Sequence, residues 1–76
     1  MDANFEIIID GVITMLPLAG VTIYNEDGEL VIHAIGGFEM RIKEEKLVQH
    51  NKDEHFDEFI HANGTVFRLD YSDSDN

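Results

Sequence analysis

Residues 50–64 read HNKDEHFDEFIHANG, and two ways of folding this stretch give two different proteins. Phe56, Phe59 and Ile60 fall at i, i+3 and i+4, the spacing of one helix face. On a helix Asn51 is the N-cap, and Glu54 three residues on completes a capping box. Asp53 and Glu54 then sit in the positive first turn and His61 in the negative last turn. Asn63-Gly64 supplies a left-handed C-terminal cap. In the rival reading Asn63-Gly64 turns a hairpin between FIHA and TVFR. That hairpin sets Asp57 opposite Asp70, which is unfavourable, and puts several acids into a strand, where they are depleted. Local chemistry therefore favours one short helix near residues 52–62.

Outward from this stretch the pattern has period two. FEIII (5–9), Asp10-Gly11 and VITML (12–16) spell a hairpin, because a type I′ turn needs positive φ at both central positions. Folding there pairs Ile9 with Val12, Ile8 with Ile13 and Ile7 with Thr14. Pro17 and Gly20 close it, since proline cannot donate to a central ladder. VTIY (21–24), the turn NEDG (25–28) and ELVIHAI (29–35) follow. Gly36-Gly37 then reverses the chain into FEMRIK (38–43). That turn pairs Ile35 with Phe38, His33 with Met40 and Val31 with Ile42, leaving Glu39, Arg41 and Lys43 on the wet face. TVFRLDY (65–71) reads as a last strand with Phe67, Leu69 and Tyr71 on one face. The fold expected is mainly β (α+β): an antiparallel β meander or small SH3-like barrel of five to six strands, with the one short helix. Residues 1–71 form a single small domain, and 72–76 an acidic tail expected to be disordered.

Seventy-six residues suffice for one small core. The chain has no cysteine, which removes disulfides, zinc–thiolate sites and thiol nucleophiles. MDANFEIIIDG has no Lys or Arg, unlike a signal or transit peptide. VITMLPLAGV (12–21) is too short to span a bilayer. A soluble, cytoplasmic location is expected.

Charge is the strongest compositional signal: 16 acids against 5 bases, a formal −11. Residues 1–40 hold seven acids and no Lys or Arg, and all five bases lie between Arg41 and Arg68. Such a balance argues against direct binding to nucleic acid or anionic lipid, both polyanions. It suits a partner with a basic surface, although acidity also serves solubility alone.

Three of the four histidines (His50, His55, His61) lie in the opening stretch with four carboxylates. On a helix, Glu54, Asp57, Glu58 and His61 form one stripe. It lacks a recognised ligand spacing such as H-E-x-x-H, so a solvated face is the expectation and no metal is assigned. His33, on the apolar face of its strand, is expected half-buried with one ring nitrogen satisfied. DYSDSDN lacks the distal glycine and glutamate of a calcium loop. The only serines, Ser72 and Ser74, are in the tail, and no phosphate-binding glycine loop is present. No carboxylate pair is evidently split in pKa by burial, as acid–base work requires. No enzyme activity and no cofactor are expected.

What is left is the anionic surface. NEDGE (25–29), KDEHFDE (52–58) and DYSDSD (70–75) crowd carboxylates into short spans, and duplex DNA carries one charge per ~1.7 Å of axis. In size, charge, lack of cysteine and these acidic clusters the chain resembles the small acidic phage-type DNA-mimic inhibitors. The likeness is one of composition, because those proteins share no motif. It implies binding to a basic nucleic-acid-binding protein and inhibition by occlusion. Glu26, Asp27, Glu29, Asp53, Glu54, Asp57 and Glu58 would carry the contact. The alternative is a non-enzymatic assembly module that forms a homodimer or docks through MLPLAGV (15–21), where Leu16, Leu18 and Val21 cannot all be buried.

Overall fold

Turn chemistry sets most of the strand order. In the structure, a computed structural model describing residues 1–71, β1 (Ala3–Ile9) and β2 (Val12–Leu18) pair about Asp10-Gly11. Both turn residues have positive φ, 50° and 79°. The register is the expected one, Ile9↔Val12, Ile8↔Ile13 and Ile7↔Thr14. The same device joins β3 (Thr22–Glu26) to β4 (Glu29–Ala34): Asp27 and Gly28 have φ of 51° and 76°. β4 then pairs with β5 (Phe38–Lys43). A 3-10 turn (Glu44–Lys46) leads into β6 (Leu47–Lys52), β7 (Phe56–His61) and β8 (Val66–Tyr71). The expectation for residues 72–76 lies outside the described residues.

Two antiparallel sheets result, ordered β2-β1-β8-β7-β6 and β3-β4-β5. The first and last described strands, β1 and β8, are neighbours inside the larger sheet. The sheets share one core. Ala3, Phe5, Phe59 and Leu69 come from the larger sheet, and Leu30, Ile32 and Ile42 from the smaller. Phe5 meets Phe38 edge-on with ring centroids 5.8 Å apart, joining the sheets.

The antiparallel β fold matches the sequence reading, with three departures. Among the described residues the strands number eight, not five to six. The short helix near 52–62 does not form, and its place is taken by the end of β6, a turn and β7. Tertiary packing overrides local spacing here. Phe59 points into the core, while Phe56, on the other face, lies under the Arg68 guanidinium, 4.1 Å from ring centroid to carbon. A strand satisfies both faces and a one-sided helix would not. The repulsion that argued against the hairpin does not arise: the connection from Ile60 to Val66 is one residue out of the assumed register. Asp57 therefore faces Leu69, and Phe56 faces Asp70. Asn51 caps no helix; its Nδ2 donates to Glu58 Oε1 at 2.9 Å across the strands.

The third departure is another slip of one residue, at β4–β5. Ile35 joins the two glycines in the loop, giving Ala34↔Phe38, Ile32↔Met40 and Leu30↔Ile42. A slip of one exchanges the faces of a strand. His33 accordingly leaves the apolar face, stands opposite Glu39 and is exposed.

Candidate functional site

The β3–β4 turn holds Glu26, Asp27 and Glu29, and the fold adds two acids to them. Strand register sets Glu29 opposite Lys43, so the residues after Lys43 return beside this turn. The Glu44 amide donates to the Gly28 carbonyl at 2.9 Å, and Asn25 Nδ2 donates to the Glu44 carboxylate. Asp27, Glu29, Glu44 and Glu45 thus ring a shallow depression with Lys43. Glu44 and Glu45 lie outside the acidic runs that the sequence singles out. The Glu29↔Lys43 register is the signal that would have found them.

Arg41 organises the neighbouring acids. It donates to Glu39 (2.7 Å), Glu26 (2.8 Å) and Glu29 (3.2 Å). The hydrogen bond and charge of Arg41 hold the Glu39 carboxyl below its ordinary value, and the three carboxylates push the guanidinium above its own. These pairs are solvent-exposed and worth little in stability.

The second cluster divides. Asp53 Oδ1 accepts the backbone amides of His55 (2.6 Å) and Phe56 (3.1 Å), fixing the turn into β7. Glu54 is exposed, 3.5 Å from His55. Asp57 and Glu58 are adjacent in a strand and so point to opposite faces. Glu58 lies on the outer face of the larger sheet, where Arg68 donates to it (3.0 Å) and to Asp70 (2.9 Å). Glu6 completes this outer row. Its hydrogen bond to Asp70, then burial and the Asp70 charge, push its carboxyl up. Burial pushes Asp70 up as well, but hydrogen bonds from Arg68 and Glu6 outweigh it and hold that carboxyl down.

Asp57 faces inward and is only 7% exposed. His50 Nε2 lies 2.7 Å from its Oδ1, and the Tyr71 hydroxyl donates to its Oδ2. The His50 ring stacks on Phe59 at 4.3 Å. Burial first, then Asp57, push the Tyr71 hydroxyl well above its ordinary value. The pair borders a cleft of about 430 Å³ between the sheets, with Ile23, Leu47 and Lys52. An Asp–His pair of this kind orients an imidazole. The described residues include no serine or cysteine for it to activate.

Of the seven carboxylates singled out in the sequence, Glu26, Asp27 and Glu29 stand together and Asp53 and Glu54 share one turn. Asp57 is drawn into the core and Glu58 into an ion-paired row. The stripe of Glu54, Asp57, Glu58 and His61 expected on a helix is dispersed. Among the described residues no group of three or more His, Cys, Asp or Glu is placed to hold a metal ion. The apolar surface is also redistributed: Leu18 and Val21 pack against the core, while Val12, Ile13, Met15 and Leu16 of β2 are exposed, as are Ile9, Ile35 and Val48 elsewhere.

No protein-family model, no curated protein and no solved structure matches this chain. Among the described residues no helix is long and apolar enough to cross a membrane.

Proposed function

We propose that this protein is an acidic, non-enzymatic binding module of the cytoplasm. It occupies the basic surface of a nucleic-acid-binding protein and blocks it, as a DNA mimic does. The observation that carries the reading is the crowding of Glu26, Asp27, Glu29, Glu44 and Glu45 around one hairpin end in a chain of net charge −11. Two type I′ turn residues and the Glu44–Gly28 hydrogen bond hold these groups on rigid backbone. A fixed array loses little conformational entropy on binding. Asp53 and Glu54 add a second, separate anionic turn. Contacts of this kind are long-ranged, shared among many charges and screened by salt. Direct binding to nucleic acid or to an anionic membrane is not expected of such a surface.

The test is capture from lysate on immobilised protein at low salt, followed by elution with duplex DNA. The proposal expects basic nucleic-acid-binding proteins to be retained and DNA to displace them. Retention of no basic protein, or of partners that resist both DNA and molar salt, would overturn it.

A further inference from the structure

Four strands lie at sheet edges: β2 and β6 in the larger sheet, β3 and β5 in the smaller. Exposed edges invite pairing with another chain, and proteins blunt them with charge, proline or bulges. β3 carries Glu26. β5 carries Glu39, Arg41 and Lys43. β6 carries Lys52 and a register shift near Val48. β2 is protected only by Pro17. It alone among the described strands has no charged side chain, and it is exposed on both faces. Val12, Ile13, Met15 and Leu16 are 67%, 60%, 58% and 45% exposed.

We infer that β2 is a self-association edge whose occupant is β2 of a second copy, paired antiparallel about a two-fold axis through Thr14. The hydrogen-bonding pattern selects this register. The two-residue turn makes Ile9↔Val12 a hydrogen-bonded pair, and pairs then alternate along the hairpin. Ile13, Met15 and Pro17 fall at the other positions, so their backbone groups point to the open edge. Proline has no N–H to donate, which leaves Ile13 and Met15 as the edge donors of this strand. Only the register centred on Thr14 sets Ile13 against Met15 of the second copy, and Met15 against its Ile13. Both donors of each chain are then used, giving four bonds. A register two residues further on would require Pro17 to donate. The side chains agree: Val12 meets Leu16, Ile13 meets Met15 and Thr14 meets Thr14. Val12, Ile13, Met15 and Leu16, the four exposed apolar residues of the strand, each gain an apolar neighbour.

Charge also favours a second copy at this strand. Two chains of −11 repel wherever carboxylates meet, and β2 presents none. The two Glu6 residues of the neighbouring β1 strands would stand three strand spacings apart, ~14 Å. That exceeds the ~10 Å screening length at 0.1 M salt. The joined sheet would have ten strands, within the range that open sheets sustain. The contact is isologous and closes at two copies. It is independent of the acidic-surface reading and has the opposite salt dependence. Salt screens the repulsion between like-charged copies, so association strengthens as salt rises.

Sedimentation equilibrium of the full chain at low and at 0.5 M salt, joined to cysteine cross-linking, tests this inference. A concentration-dependent dimer, tighter at high salt, is expected. Thr14→Cys should form a disulfide-linked dimer readily, since facing residues at a non-hydrogen-bonded pair have Cα atoms ~4.5 Å apart, within disulfide reach. Ile13→Cys should cross-link at least tenfold more slowly. Met15→Lys should abolish the dimer while keeping the circular dichroism spectrum. It reduces the net negative charge from −11 to −10, so added repulsion cannot explain the loss. A monomer at every concentration and salt would overturn the inference. So would a dimer that Ile13→Cys locks as readily as Thr14→Cys, or one that survives Met15→Lys.

Discussion

Asp57 shows how far a single residue's role depends on the face it occupies. From the sequence it belongs with Asp53, Glu54 and Glu58 in one acidic run. In the fold it is buried and accepts from Tyr71 and His50. Leaving a buried polar group without its partner costs ~1–3 kcal/mol, and the half-buried Tyr71 hydroxyl falls at the lower end of that range. Asp57→Ala should therefore destabilise the protein by about that amount in urea denaturation, while Asp57→Asn, which keeps one acceptor, should cost less. An Asp57→Ala midpoint equal to wild type would show that the residue is not buried as described. Glu6 makes a prediction in pH. Its carboxyl is raised above the ordinary 4.5, so the folded state holds that proton more tightly than the unfolded chain. The associated stability is present below pH 4.5 and is lost as pH rises through the folded value. Asp70, held below 3.8, acts in the opposite sense: its stability is present above 3.8 and is lost as pH falls through its lower folded value. Glu6→Gln keeps a hydrogen-bond donor towards Asp70 at all pH. It should raise the unfolding temperature relative to wild type at pH 8 and lose that advantage near pH 3. An advantage of equal size at both values would mean that Glu6 does not share a proton with Asp70.

At the scale of elements, legibility tracked the turns. Where two residues with positive φ made the connection, at Asp10-Gly11 and Asp27-Gly28, strand identity was readable, and at the first so was the register. At the longer connections, Ile35-Gly36-Gly37 and 62–65, the assumed register was out by one. Such a slip moves every side chain to the other face. It put His33 on the apolar face and Asp57 opposite Asp70, and the second error made the helix look better than the strand. The helical spacing of Phe56, Phe59 and Ile60 was real but carried no information about which faces would be covered. The Gly28 turn also positions the acidic cluster, so its backbone is testable. Gly28→Ala should cost about 1–2 kcal/mol, the penalty of a left-handed non-glycine residue. Gly28→Asn should recover part of it, because asparagine tolerates that conformation. A neutral Gly28→Ala in chemical denaturation would argue against the turn.

At the scale of the whole molecule, charge and edges divide the surface. Carboxylates collect at the hairpin end and the β6–β7 turn, and the uncharged strand β2 lies at the border of the larger sheet. The acidity was legible in composition, but not its distribution. Glu44 and Glu45 join the cluster through strand register, whereas Asp57 and Glu58 leave it through burial and ion pairing.

The central claim is that the acidity is used. It is tested most directly by repeating the lysate capture with a charge-reduced chain, Asp27→Asn, Glu45→Gln and Glu54→Gln together. These side chains make no core contacts, so the circular dichroism spectrum and unfolding midpoint should match wild type. The account predicts that the variant, folded and otherwise unchanged, loses most of the basic proteins that the wild-type chain retains. Undiminished retention of the same proteins by the variant would contradict it and reduce the acidity to a solubilising role.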